Sequence, residues 1–226
     1  MSLIGITTQV SEGTARDTVL ADLGVMFVAT SPTPGTGIIS STPITLAAAA
    51  TAPTMVVYNG NQAGGPNVYP LWLKLTETAA STGGTQLNYQ FHIDTVNRYV
   101  SGGTVLTAGA NFGATNSGSL FGSKATIAYG AITGAAAVND KFVSGNCRCR
   151  VGLIDILGDM LMFTFGSPTP MAAGPSLQTT ATVGVFAFSV APVVVAPGHS
   201  MVMTIWQPTT FTTGVTHEVE FGYAEK

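Results

Sequence analysis

The residues of this chain that could carry acid–base chemistry stand in two pairs. Asp155 and Asp159 flank a predicted turn, and Glu218 and Glu220 share one face of the last predicted strand. Two carboxyl groups at a suitable separation can hydrolyse a glycosidic bond, one as the acid and the other as base or nucleophile. Carboxylates on solvated strand faces give the same pattern, and we favour that interpretation.

Histidine and serine give no clear catalytic arrangement either. The segment from Gly198 to Met201 lacks the second glycine of a nucleophile elbow and lies at a predicted β-turn. His92, His199 and His217 each lie beside a turn or on a polar face, and nothing in the sequence places them together. We therefore predict no catalytic residue, no metal site and no cofactor, in a protein that is not an enzyme.

The two cysteines, Cys147 and Cys149, lie two residues apart on the same side of a predicted strand. Parallel Cβ vectors on one strand face do not converge, so a disulfide between them would be strained. No other His or Cys lies near them in the sequence to complete a metal site. We expect buried free thiols.

Arg148 and Arg150 occupy the other face of the same strand, with no acidic residue beside them in the sequence. They are either a pair of surface charges or charges that meet carboxylates across a subunit boundary. Arginine forms strong charge-assisted hydrogen bonds with carboxylates. Glu218 and Glu220 are the partners considered for the second interpretation.

Charged residues are scarce in this sequence. They make up 8% of the chain, against about 25% in an average domain. The formal net charge is −3 and the eight Lys and Arg are scattered, so no basic stripe is present for nucleic acid. A surface with so few charges does little to keep a protein in solution. Either partners cover much of the surface or Thr and Ser hydroxyls keep it in solution, and we favour partners.

Neither the start of the sequence nor its longest apolar stretch indicates a membrane protein. The start, MSLIGITTQ, has no cationic region or long apolar run. The longest apolar stretch, 183–195, is broken by Pro192 and is too short to cross a bilayer. We expect a soluble protein that is made in a cytoplasm and does not contact membranes.

Alternating and β-branched segments bounded by Gly, Pro and Asn predict a chain built of strands. No segment keeps a 3.6-residue period, so no helix is predicted. Strands alone, with turns at regular spacing, indicate a β-sandwich or barrel. The predicted strands are 24–30, 54–58, 69–76, 87–94, 124–132, 146–157, 160–165, 176–190, 200–206 and 216–223.

Two of the turns predict hairpins, and the flanking segments predict the domain organisation. Gly83-Gly84 would join strands 69–76 and 87–94, and Gly158-Asp159 would join strands 146–157 and 160–165. Residues 1–22 are interpreted as an N-terminal arm and residues 23–226 as a single β-sandwich domain. Within it, residues 108–145 are rich in Gly, Ala, Ser and Asn and are interpreted as a loop-rich insertion.

The run from Met201 to Trp206 is almost wholly apolar, whereas a half-buried strand should alternate. One interpretation is a central strand packed between two layers. The other is a strand with one face against another chain, because obligate interfaces are apolar and enriched in Met and aromatic residues. In that case Met201, Met203 and Trp206 would make the contact, and we favour the core strand.

The C-terminal part of the chain resembles a known class of proteins. It has a late Ala-Pro-Gly turn before Ser200, an apolar strand that ends in Trp206-Gln207-Pro208, a Thr-rich loop and the final strand EVEFGYAEK. This order is similar to the C-terminal ends of small tailed-bacteriophage virion proteins, in particular capsid decoration (cement) proteins. The low charge and the Thr, Gly and Ala bias fit that class.

The resemblance implies a fold, a location and partners. The fold would be a jelly-roll-like antiparallel β-sandwich with long Gly/Ala/Thr-rich loops, commonly assembled as a homotrimer. The protein would be made in the host cytoplasm and reside on the capsid surface of the virion. Its partners would be further copies of itself and the major capsid protein, which it would stabilise through apolar contacts between subunits.

An alternative function on the same fold is binding of a glycan or receptor, as a module of a phage tail or head fibre. Tyr58, Tyr69 and Trp72 lie close in sequence to the Asn-rich segment 59–67. Aromatic rings could stack on a sugar while the amides form hydrogen bonds to its hydroxyls.

Overall fold

The described strands form an all-β domain, and one helix is found among the described residues. The computed structural model describes residues 13–40, 52–79, 86–106, 112–150, 158–166, 185–206 and 215–226. These residues form helix α1 (Gly13–Asp22) and thirteen strands. The strands are β1 (Met26–Thr30), β2 (Ile38–Ile39), β3 (Met55–Asn59), β4 (Val68–Ala79), β5 (Gln86–Asp94), β6 (Tyr99–Leu106), β7 (Phe112–Ala114), β8 (Ala125–Gly134), β9 (Lys141–Arg150), β10 (Met160–Phe165), β11 (Val185–Val190), β12 (Ser200–Trp206) and β13 (Thr216–Glu225).

The strands form two sheets that pack face to face. The first sheet has the order β11-β10-β4-β13-β1-β7, with β2 paired to β13, and the second has the order β6-β8-β3-β12-β5-β9. If β1, β3, β4, β5, β9, β10, β12 and β13 are numbered 1 to 8, their orders are 1-8-3-6 and 2-7-4-5. This is the strand order of a jelly roll. The predicted all-β, jelly-roll-like sandwich is confirmed.

Both predicted hairpins are wrong. Strand β4 pairs with β13 and β10 in the first sheet, whereas β5 pairs with β12 and β9 in the second. Strands β9 and β10 are likewise in different sheets. The sequence around each turn describes a reversal of the chain, but in a jelly roll many such reversals cross from one sheet to the other. One further difference from an antiparallel sandwich is the parallel pairing of β10 with β11.

The core lies between the inner faces of the two sheets. Phe163 of the first sheet contacts Tyr89 and Phe91 of the second, with ring centroids 5.2 Å apart in both cases. Each of these three rings has no exposed surface. Complete burial of such a side chain stabilises the fold by about 1.5–3 kcal/mol. The aromatic contacts therefore hold the two sheets together at the centre of the sandwich.

The helix α1 was not predicted. Its segment lacks a sustained apolar stripe, and a helix of ten residues is marginal in isolation. In the folded chain Leu20 and Ala21 pack on Met26, Leu71 and Ala224, on the outer face of the first sheet. Tertiary packing thus stabilises a helix that local propensity does not. The remainder of the predicted arm, residues 1–12, lies outside the described residues.

The outer face of the second sheet is covered by the chain itself. Tyr99 and Ile132, from the β6–β8 pair, pack on Val56 and Val202. Pairing between β6 and β8 is interrupted by two register shifts, and Gly103, at the second of them, has φ of 63°. A left-handed residue of this kind lets a strand pair bend. The predicted loop insertion 108–145 accordingly contains β7, β8 and the start of β9.

Candidate interaction surfaces

The apolar run of β12 is a core strand, as the favoured interpretation expected. Met201 and Met203 are 1% and 0% exposed and belong to the cluster between the two sheets. Val202 points to the other face, where the β6–β8 pair covers it. Both faces of the strand are therefore occupied within one chain. This corrects the assignment of Met201 and Met203 to a subunit interface.

For three other predicted interface residues the structure gives a position on a strand. Trp206 ends β12 opposite Asn88 of β5. Arg148 and Arg150 lie on β9, the edge strand of the second sheet, opposite Asn88 and Gln86. Their side chains, and those of Cys147 and Cys149, are outside the described part of the molecule, as is Asp155.

Glu218 and Glu220 lie on β13 in the first sheet and have partners within the chain. Lys74 Nζ donates to Glu220 over 2.8 Å, and Trp72 Nε1 donates to the same carboxylate over 3.3 Å. The backbone N–H of Gly35 donates to Glu218. The arginines of β9 and these glutamates are therefore in different sheets. An arginine of a second copy would have to compete with these existing contacts.

The three aromatic residues considered for glycan binding do not come together. Tyr58 packs on the outer cluster of the second sheet, with Val56 and Val202. Tyr69 and Trp72 pack on the cluster beneath α1, on the outer face of the first sheet. The structure therefore leaves two of the three rings on one surface.

Beyond the region that α1 covers, the outer face of the first sheet is partly exposed in the described part of the chain. Met160 and Met162 are half-buried there, and Val185 on the edge strand β11 is 42% exposed. Met162 lies in register with Ala187 on one side and Lys74 on the other. Strands β10 and β11 contain no charged residue. We call Met160, Met162, Val185 and Ala187 the methionine face.

A second exposed apolar group lies on the loop after β7, residues 115–124. Leu120 is 100% exposed and Phe121 is 66% exposed. Ser119 Oγ donates to the Gly24 carbonyl over 2.8 Å and accepts from the Phe121 N–H over 3.2 Å. Asn116 Nδ2 donates to the Asp22 carbonyl over 3.1 Å. We call Leu120 and Phe121 the apolar knob, which is held on a hydrogen-bonded base.

The far end of the same loop is also fixed. Ser123 Oγ donates to Glu225, and the Lys124 N–H donates to the same carboxylate over 3.2 Å. Tyr223 Oη donates to Ser123 Oγ over 2.7 Å. Burial is the main cause that raises the pKa of Tyr223, and the Glu225 charge adds to it. The phenol therefore stays protonated, as a donor must.

Buried ionisable groups elsewhere serve the fold. Asp94 Oδ2 accepts from Arg98 Nη1 over 3.0 Å, and Asp94 also accepts from the N–H groups of Val138 and Asn139. Burial acts to raise the pKa of Asp94, but these hydrogen bonds and that of Thr95 outweigh it, so the pKa lies below the usual value. Asp94 thus pins the 135–140 loop over the second sheet.

The histidines do not form a site with one another. His92 Nδ1 lies 2.8 Å from Asp140, His217 is buried in the core, and His199 lies in the turn after Ala196. Among the described residues no group of three or more His, Cys, Asp or Glu could hold a metal ion. In the same residues no helix is long and apolar enough to span a membrane.

The apolar knob was missed because its signal in the sequence is one Leu-Phe pair within a Gly- and Ser-rich loop. Such a pair predicts burial as readily as exposure. Comparison with known proteins gives no further guide. No family model matches the chain, and no curated protein or solved structure matches it.

Proposed function

We propose that this chain is a non-enzymatic virion structural protein, a capsid decoration (cement) subunit that stabilises a phage head through apolar contacts between subunits. The observation that carries the proposal is the jelly-roll strand order, since jelly rolls occur in viral capsid and lectin domains. Support also comes from the scarcity of charge, 8% of the sequence, and from the exposed apolar knob and methionine face. Surfaces of that kind mark contacts with other proteins.

The mechanism would be burial of apolar surface at the boundaries between capsid subunits. Each Å² of apolar surface removed from water contributes about 25 cal/mol, before the costs of association. The partners would be further copies of the chain, as a homotrimer, and the major capsid protein.

The test uses purified protein and capsids assembled from the major capsid protein encoded near this gene. We expect an oligomer in light scattering that co-sediments with expanded capsids and raises their melting temperature. A monomer that ignores those capsids would contradict the proposal. Closed shells formed by this chain alone would also contradict it, because they would make it the shell subunit.

The second candidate is a glycan- or receptor-binding module of a tail or head fibre. It now rests on Tyr69 and Trp72, which share the outer face of the first sheet. A glycan array with the wild-type protein and the Trp72→Ala variant tests it. Binding that disappears in the variant supports this candidate, and an array without signal contradicts it.

A further inference from the structure

The apolar knob combines exposed apolar side chains with a hydrogen-bonded base. Leu120 and Phe121 expose apolar surface that the described chain does not cover, with Leu120 at 100%. The loop base is held by hydrogen bonds to the α1–β1 turn and to β13. A pre-organised loop loses little conformational freedom when it binds. Exposure of these two apolar side chains to water is unfavourable. Burial of both against another molecule would remove that cost, and the loop would need little rearrangement to bind.

The knob and the methionine face lie at opposite edges of the same sheet. The knob loop follows β7, which ends the first sheet beyond β1, and the methionine face is on β10 and β11 at the other end. Their chemistry matches, because residues 115–123 and both strands contain no charged residue. Methionine side chains adapt their shape to an inserted group. Neither surface would have to bury an unpaired charge on contact.

We propose that the apolar knob of one copy of this chain inserts against the methionine face of a second copy. The contact is heterologous, since two different surfaces meet, and a repeated heterologous contact closes into a ring when its rotation permits. The occupant is therefore a second copy, in the cyclic homotrimer of the proposed function. This inference rests on that proposed function.

A membrane is the other kind of surface that an exposed Leu-Phe loop could bind. Exposed apolar loops that bind membranes commonly act together with basic residues that attract anionic lipids. Lys124 is the one basic residue in the 115–124 loop, and the whole chain has net charge −3. The charge distribution therefore favours a protein surface.

The first experiment compares double variants by size-exclusion chromatography with light scattering. Leu120→Ala/Phe121→Ala should weaken subunit association by about tenfold or more, as should Met160→Ser/Met162→Ser. The matched control is Val100→Ala/Val138→Ala, which truncates a residue of β6 that is 58% exposed and a residue of the loop after β8 that is 68% exposed. Circular dichroism checks that all variants fold. Unchanged association of the knob variant, or equal loss in the control, would overturn the inference.

Mixing the two variants tests whether the contact is heterologous. The knob variant keeps its methionine face and the methionine variant keeps its knob, so a mixture can form one native contact and should yield a heterodimer that cannot close. Each variant alone should remain monomeric at the same concentration. A mixture without heterodimer would overturn the inference.

Photo-crosslinking then locates the contact. Benzoylphenylalanine at position 121 should crosslink to residues 160–165 or 185–190 of a second copy, and crosslinks to any other region would contradict the proposal. Binding to phosphatidylcholine–phosphatidylserine vesicles that requires Leu120 and Phe121 would also contradict it. Wild-type capsid binding separates the two proposals. If capsids bind and the knob variant associates normally, only this inference fails; if the knob drives association but capsids do not bind, only the proposed function fails.

Discussion

Tyr129 and His217 join the two sheets across the core, with Oη of the tyrosine 2.9 Å from Nδ1 of the histidine. Tyr129 belongs to β8 and His217 to β13, and they are 0% and 1% exposed. Burial lowers the pKa of His217 to about 4 and raises the pKa of Tyr129 well above its ordinary value. Both groups are therefore neutral near pH 7, and the hydrogen bond satisfies each of them inside an apolar environment.

This pair predicts a loss of stability in mild acid. The ordinary pKa of histidine is 6.5, and in the folded chain that of His217 is about 4. The unfolded state therefore takes up the proton first, so falling pH favours unfolding between these two values. The free energy of unfolding should fall by about 3 kcal/mol over that interval, at 1.36 kcal/mol per unit.

Urea denaturation at pH 7, 5.5 and 4 measures this effect. His217→Gln should remove most of the pH dependence in that range, whatever its own stability. Tyr129→Phe should keep the pH dependence and lower the free energy of unfolding by about 1–3 kcal/mol at each pH, because His217 loses its buried partner. The same pH dependence in His217→Gln as in the wild type would contradict the prediction.

The buried ion pair of Asp94 and Arg98 should be a major local determinant of stability. Their side chains are 0% and 1% exposed, so removal of the carboxylate leaves a buried guanidinium charge poorly compensated. Asp94→Ala should cost about 3–5 kcal/mol. Asp140→Ala is the matched control, because Asp140 is 32% exposed and contacts the same guanidinium over 3.4 Å; it should cost about 1 kcal/mol or less.

The pH dependence of this pair has a definite sign. The pKa of Asp94 is lowered in the folded chain, so its stabilisation is present above the unfolded pKa and is lost as pH falls through the folded value. The contribution thus begins to decline below about pH 4. Equal costs for the two alanine variants at pH 7 would show that burial does not set the strength of this ion pair.

The observed position of the Trp72 ring should require a glycine at position 222. A Cβ at Gly222 would lie 2.4 Å from the indole ring, which is too close for the ring to stay in place. Gly222→Ala should displace the ring from Glu220 and cost about 1–3 kcal/mol. Tryptophan fluorescence in a Trp206→Phe background reports the displacement. Gly113→Ala is the control, because no atom lies within 4 Å of its Cβ position, and it should leave the emission of Trp72 unchanged.

The strands could be predicted from the sequence, because the residue pattern that indicates a strand is local. Alternation of apolar and polar residues predicted β4 and β5 to within a few residues, and short apolar runs bounded by turns predicted β10 and β12 at their observed bounds. Pairing was predicted wrongly, because each turn was assumed to join neighbours in one sheet. Whether a strand crosses to the other sheet depends on distant partners, such as β13 for β4, and local turn chemistry does not encode it.

The candidate surfaces were harder to predict, for a related reason. Met201 and Leu120 are both apolar, and burial against distant strands separates the first from the second. Val202 was an anomaly in the sequence because its cover, Ile132, is 70 residues away in the chain. The sequence does not show that Asp94 is buried, because Arg98 and the 138–139 backbone reach it only in the folded state.

Glu225, next to the last residue, should fix the loop that carries the apolar knob. The residue is 8% exposed, and its carboxylate accepts from Ser123 Oγ, the Lys124 N–H and Asn61 Nδ2. Glu225→Ala leaves these donors without their acceptor, which should cost about 1–3 kcal/mol. Hydrogen exchange at the Lys124 amide should become faster than global unfolding allows.

Two further variants serve as controls for the hydrogen-exchange measurement at Lys124. Lys226→Ala changes a neighbouring exposed residue whose backbone pairs with that of Asn67 and is kept in the variant, so it should leave exchange at Lys124 unchanged. Glu225→Gln keeps an acceptor oxygen without the charge and should lie between wild type and Glu225→Ala. Because the knob depends on a pre-organised base, Glu225→Ala should also weaken subunit association, although it leaves Leu120 and Phe121 in place. If exchange at Lys124 accelerates and association does not change, the base of the loop is not what prepares the knob for binding.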